Sequence, residues 1–191
     1  LKDLALLGLE ARYFPCDVAQ ADPVRQTLDE VAALWGRIDV VIHGAGVIHD
    51  SFMAFMTPED FSRVVAVKLS GAANLLDAAQ PHGLRCLVGL SSAASIQGNP
   101  GQANYCAANR AMSALIAAQG PPVGLLLAKA FMLPPIEGVG MADDPEVKEL
   151  LKLKGLEKAY VHAEEFAQVF VRRGFWAIPP PSGSIPCAVF P

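Results

Sequence analysis

Short, nearly unbroken apolar runs alternate along this chain with longer stretches in which apolar residues recur every three or four positions. The short runs predict strands at residues 10–16, 38–43, 84–90 and 123–128. Residues 38–43 and 84–90 are apolar almost throughout, the pattern of strands buried on both faces. The periodic stretches predict helices. One opens at Asp22, with Pro23 at its first position, and runs to Trp35. A second opens at Thr57-Pro58-Glu59-Asp60 and runs to about Gln80. Thr57 is placed as an N-cap, Pro58 fits the first turn, and the acids sit at the positive end of the helix dipole. A third, rich in alanine, covers residues 102–118. Strands alternating with helices predict βαβ units and a parallel sheet, an α/β fold.

The last third reads differently. Residues 132–141 predict a loop, 145–154 and 162–172 amphipathic helices, 179–183 a break, and 185–190 a last strand. No internal repeat or low-complexity segment stands out. At 191 residues, the length predicts one domain or most of one.

With 52% hydrophobic and 18% charged residues the chain can bury a substantial core, which excludes a disordered protein. A net charge of −4 gives no electrostatic reason to bind nucleic acid. Cys16, Cys86, Cys106 and Cys187 lack metal-type spacing and read as reduced, mostly buried thiols of a cytoplasmic protein. His43, His49, His82 and His162 also lack ligand spacing, and read as core-edge or surface residues; no metal site is expected. No apolar run reaches membrane-spanning length, and the first residues do not form a signal peptide.

The candidate chemistry lies in four polar residues: Lys68, Ser92, Tyr105 and Asn109. Tyr105 and Asn109 are four apart on a predicted helix and share a face. Ser92 ends a predicted strand thirteen residues before Tyr105, and Lys68 stands in the apolar helical stretch around Val64, Val65, Val67 and Leu69. A phenol that gives up a proton near neutral pH needs a nearby cation to lower its pKa from about 10. A neighbouring hydroxyl can hold a carbonyl oxygen while charge develops on it. Tyr-x-x-x-Asn alone would be an ordinary piece of an alanine-rich helix, and Lys68 alone a solvated lysine; the four together at this spacing read as proton-delivery residues of a carbonyl reductase.

The stretch from Arg37 to Met112 resembles the ketoreductase domains of modular polyketide synthases and animal-type fatty acid synthases, within the short-chain dehydrogenase/reductase superfamily. The usual superfamily pattern is Tyr-x-x-x-Lys. Here Asn109 takes the place of that lysine and Lys68 lies upstream, an exchange typical of the synthase domains. Val41-Ile42-His43-Gly44-Ala45-Gly46-Val47, Leu90-Ser91-Ser92 and Gly98-Asn99-Pro100-Gly101-Gln102-Ala103-Asn104-Tyr105 fit the same pattern. The likeness covers most of residues 13–141. It implies a Rossmann-type, doubly wound parallel sheet. It also implies NADPH as cofactor and a β-ketoacyl thioester on an acyl carrier protein as substrate, with other synthase domains in the same polypeptide. Tyr105, Ser92, Lys68 and Asn109 would be catalytic, with Lys68 keeping the Tyr105 pKa low. Gly44, Ala45 and Gly46 would lie against the adenosine half of the cofactor, and Asp17 and Val18 against adenine. Residues 132–160 would form a substrate lid.

The superfamily begins with a strand, a glycine-rich turn and a helix that hold the pyrophosphate. No such turn precedes Asp17-Val18. The expectation is a sheet truncated at its N-terminal end, with a first strand lacking a neighbour in its own sheet and a chain that does not fold alone. Two other readings stay open: a free-standing short-chain alcohol dehydrogenase, disfavoured by Asn109, and a non-catalytic ketoreductase remnant within a synthase. For stereochemistry, one ketoreductase class carries Trp eight residues before the tyrosine, where this chain has Gln97. The other class carries Leu-Asp-Asp where this chain has Ile48-His49-Asp50, and a Pro and Asn matched by Pro100 and Asn104. The balance implies a D-configured hydroxyl product.

Overall fold

Three parallel strands form the centre of the computed structural model, which describes residues 6, 10–119, 125–138, 145–153, 160–174 and 187–189. In chain order the elements are β1 (Ala11–Tyr13), α1 (Ala21–Trp35), β2 (Val40–His43), α2 (Pro58–Val65), α3 (Gly71–Ala79), β3 (Cys86–Ser92), α4 (Ala94–Gln97), α5 (Ala103–Ala118), β4 (Leu127–Leu133), β5 (Ile136–Glu137), α6 (Pro145–Leu153), β6 (Val161–His162), α7 (Ala163–Gly174) and β7 (Cys187–Val189). The order β2-β3-β4 is parallel throughout, with Val40 opposite Cys86 and Leu127 opposite Cys86 on the other side. With helices packed on it, this is the Rossmann-type arrangement expected.

The middle strand β3 is the most apolar and the most buried; Cys86, Leu87 and Val88 have no exposed surface. Leu75 and Leu76 of α3 and Met112 and Ile116 of α5 share its core. Burial pushes the Cys86 thiol up to about 11, so it remains a packing group. Gly89 makes the approach of α5 possible: a Cβ there would come within 2.5 Å of the Ile116 side-chain tip.

Helix starts and stops follow local chemistry. The Thr57 hydroxyl accepts the Asp60 amide at 3.1 Å and donates to the Asp60 carboxylate at 2.7 Å. Gly36 ends α1 in the left-handed region (φ 84°), returning its N–H to the Ala32 carbonyl.

Several expectations shift. The first helix begins at Ala21, one residue early, with Pro23 inside the first turn. The long helix from Thr57 is not uniform: a π turn at Ala66–Ser70 separates α2 from α3. The strand expected at 123–128 lies at Leu127–Leu133; Leu125 and Leu126 precede it and 123–124 fall outside the described residues. Its register follows β3, residue for residue from Cys86 to Ser92, which the local apolar run could not reveal. The first strand does have a neighbour: Ala11–Tyr13 pairs in parallel with Cys187–Val189. That partner is far away in sequence, and no local pattern reports it.

Candidate functional site

In parallel sheets ligands gather at the C-terminal strand ends. Here that edge collects the candidate residues. Gly44, Ala45 and Gly46 follow β2 and Ser92 ends β3, while Asp17 and Val18 follow β1, which pairs with β7 in a separate two-stranded sheet. The Val18 carbonyl accepts from the Asn74 side chain at 2.9 Å, which ties the segment after β1 to α3. The Asp17 carboxylate caps the Ala19 amide at 3.0 Å. Gly44 is exposed on this edge, yet a Cβ on it would meet the Leu90 side chain at 3.3 Å, so β2 and β3 approach closely there.

Ser92, Tyr105 and Asn109 come together. The Ser92 and Asn109 side chains both act on the Tyr105 phenol in the direction that favours its ionised form. Ser92 Oγ also accepts the Ala94 amide at 3.2 Å. Asn109 is fully buried; its Nδ2 donates to the Tyr105 carbonyl at 2.9 Å, and its Oδ1 has no hydrogen-bond partner among the described residues. A buried, unpaired amide oxygen is costly unless some other donor reaches it. Beneath it, Ser113 donates to the Asn109 carbonyl at 2.8 Å and pairs with Ser91 at 2.9 Å. These two hydroxyls pin α5 against β3. Ser91 therefore serves packing, while Ser92 is the serine that acts on the Tyr105 phenol.

Lys68 is 3% exposed and enters from the π turn. Its Nζ donates to the Leu90 carbonyl at 2.9 Å. Burial lowers its pKa to about 8. Lys68 does not lower the Tyr105 pKa here. Burial outweighs Ser92 and Asn109, Asp50 and Cys106 add in the same direction, and the phenol lies above its ordinary value. Both groups are held in a dry setting, which penalises either charge. Burial likewise raises the Cys106 thiol.

Sequence reasoning passed over a link between two loops. Asn104, buried completely, donates to the His49 carbonyl at 2.7 Å. Gln102 donates to the Asp50 carboxylate at 2.6 Å, and the Ser51 amide to the Gly101 carbonyl at 2.8 Å. The His49 ring stands 3.4 Å from an Arg63 nitrogen. No local pattern in the sequence states that Asn104 and His49 touch.

Of the expected lid, Pro145–Leu153 is a helix, and β5 pairs with β6, where His162 Nδ1 stands 2.8 Å from the Glu137 carboxylate; residues 139–144 and 154–159 fall outside the described residues. Among the described residues no three His, Cys, Asp or Glu side chains cluster as metal ligands, and no helix is long and apolar enough to cross a membrane.

Comparison with known proteins places this geometry. Polyketide synthase GfsB of Streptomyces halstedii is 41% identical over 115 residues, covering 60% of this chain and 2% of that protein. The 3-oxoacyl-acyl-carrier-protein reductase FabG of Staphylococcus aureus is 32% identical over 111 residues, covering 56% of this chain and 45% of that protein. The crystal structure of a ketoreductase domain from the bacillaene assembly line aligns with a TM-score of 0.72 at 26% identity, over 99% of this chain and 44% of that one. The chain thus spans less than half the length of each of these relatives. The family model described as KR domain matches residues 1–121, well over half of the sequence, and the chain belongs to that ketoreductase family.

Proposed function

We propose that this chain carries the catalytic face of a reductase that converts a β-ketoacyl thioester, held on an acyl carrier protein, into the β-hydroxyacyl thioester with NADPH. The observation that carries this is the placement of Ser92, at the C-terminal end of β3 in a parallel sheet, and of Asn109, one helical turn beyond Tyr105 and bonded to its carbonyl, with both side chains acting on the phenol. The relatives support the substrate class: by name they include polyketide synthases, a polyunsaturated fatty acid synthase subunit and an acyl-carrier-protein reductase. Other synthase domains in the same polypeptide are the accompanying partners of this reading.

The residues present suit a nicotinamide dinucleotide. Gly44, Ala45 and Gly46 offer backbone without bulk on the strand-end edge, for the adenosine half, with Asp17 and Val18 on the adenine side. The buried Asn109 Oδ1, without a hydrogen-bond partner among the described residues, is an acceptor that a further donor would satisfy. When bound, NADPH supplies the hydride to the ketone carbon.

The protein's own part is orientation and proton delivery. Ser92 Oγ and Tyr105 Oη hold the ketone oxygen. Burial keeps the phenol protonated until the oxygen it faces becomes alkoxide-like and takes the proton from Oη. Lys68, an ammonium below about pH 8, serves as the proton source behind the phenol in this reading, and Asn109 holds the helical turn that bears Tyr105 through its bond to the Tyr105 carbonyl. In this reading residues 132–138, 145–153 and 160 belong to the substrate lid. The loops at Ile48-His49-Asp50 and Pro100–Asn104 admit the ketone so that a D-configured hydroxyl results.

The test is turnover of a simple β-ketoacyl thioester by the full-length protein with NADPH, following the β-hydroxyacyl product. Turnover supports the reading. Binding of NADPH without turnover of β-ketoacyl thioesters of several lengths overturns it in favour of a non-catalytic ketoreductase remnant.

A further inference from the structure

His43 closes β2 and is 1% exposed. Its Nε2 lies 3.1 Å from the Lys68 carbonyl, and the Val67 carbonyl also acts on the ring. A carbonyl only accepts, so Nε2 carries the hydrogen and the ring donates. Burial first, and then the charge of Lys68, hold the His43 pKa down to about 4, so the ring is neutral at pH 7. Its Cε1 stands over Gly71, where an added Cβ would come within 3.2 Å of the ring and 3.0 Å of Val18 Cγ2.

Val67 and Lys68 lie inside the π turn Ala66–Ser70, and Gly71 follows it. The Gly71 amide reaches back five residues to the Ala66 carbonyl and also contacts that of Lys68. An extra residue in one turn rotates everything beyond it by about 100° relative to an unbroken helix. The turn therefore decides which side of the helix faces β3. Such turns are rare in isolation and gather where the surroundings hold them for a purpose.

We propose that His43 is a positioning residue for Lys68: by donating to the Lys68 carbonyl and filling the space over Gly71, it holds the π turn in place. The ammonium then meets the Leu90 carbonyl, two residues before Ser92, on the edge where Ser92 and Tyr105 meet. The role rests on the reading of Lys68 as part of the reductase machinery.

The test compares His43→Leu, which removes the donor, with His43→Gln, which retains an N–H donor of similar reach, both in the full-length protein. Two quantities are read: kcat with NADPH affinity, and the pH titration of the Lys68 side chain followed by carbon NMR. His43→Leu lowers kcat on the order of tenfold to a hundredfold, the scale of a misplaced group, while NADPH affinity stays within about twofold. In the same variant the Lys68 midpoint moves up from about 8 towards the ordinary lysine value as the ammonium leaves its buried place. His43→Gln restores both. Should His43→Leu fail to fold, Gly71→Ala, which presses on the ring from the helix side, is expected to raise the Lys68 midpoint in the same way. An unmoved Lys68 midpoint in the folded Leu or Ala variant overturns the proposal, as does a Gln variant no better than Leu. If the wild type does not reduce β-ketoacyl thioesters, the functional reading fails, while the Lys68 titration still decides the role of His43.

Discussion

The Asn104 side chain donates to the His49 carbonyl at 2.7 Å and accepts the Tyr105 amide N–H at 2.7 Å. One buried amide thus joins the loop after β2 to the first turn of the helix that bears the tyrosine. With the Gln102–Asp50 and Ser51–Gly101 bonds it makes the two loops beside Tyr105 a single unit. Asn104→Ala leaves a partly buried carbonyl and a partly buried N–H without this partner, and is expected to cost about 1 kcal/mol or more. Chemical denaturation of the full-length protein measures this. A variant as stable as the wild type would show that the amide bridge is replaced without loss.

The joined loops bear on product configuration. In the proposed reaction the bound cofactor fixes where the hydride comes from and Tyr105 where the proton comes from, so the side from which the ketone approaches sets the configuration. Gln97, exposed at the end of α4, offers no bulky wall of the kind an indole gives. Reduction of a diketide thioester is expected to give the D-configured alcohol, read by chiral chromatography. A predominantly L-configured product would show that His49, held against Arg63, has changed the approach.

Stability should depend on pH through His43. Its folded pKa is about 4 against an ordinary 6.5, so the unfolded chain binds more protons across that window. Its contribution is then fully present above about pH 6.5 and lost as pH falls through about 4. Between about pH 7 and 4.5 the wild type should lose more stability than His43→Gln in urea denaturation. Parallel curves for the two proteins would contradict the buried, neutral ring.

Core packing gives a prediction independent of chemistry. A methyl on Gly89 would press on Ile116 and lie 3.2 Å from Met112 Cε, and both of those side chains are fully buried. Gly89→Ala should destabilise by about 1–3 kcal/mol, the usual cost of overpacking. Unchanged denaturation midpoints would mean that α5 can move away from β3 freely.

Alternation of apolar runs and periodic stretches made β2, β3 and the three main helices legible, because each is set by local burial. The spacing of Lys68, Ser92, Tyr105 and Asn109 named them as a set; the structure gives Lys68 bonded to the Leu90 carbonyl and Asn109 bonded to the Tyr105 carbonyl. What stayed illegible was non-local. The register that carries β4 to Leu133 depends on β3, and β1 finds its partner in Cys187–Val189. The π turn under Lys68 depends on a histidine two elements away. The balance at Tyr105 depends on burial, which reversed the pKa direction that charge reasoning alone suggested. Spacing named the groups; packing decided how each one is tuned.

The central claim is that Tyr105 delivers the proton to a reduced β-ketoacyl thioester. The most direct measurement is the single-turnover rate of β-ketoacyl thioester reduction by the full-length protein and its Tyr105→Phe variant, at saturating NADPH, with cofactor affinity measured alongside. Removing a general acid while keeping the ring predicts a loss on the order of a hundredfold or more, with NADPH affinity and melting temperature close to wild type. A Phe variant that turns over near the wild-type rate would contradict the account.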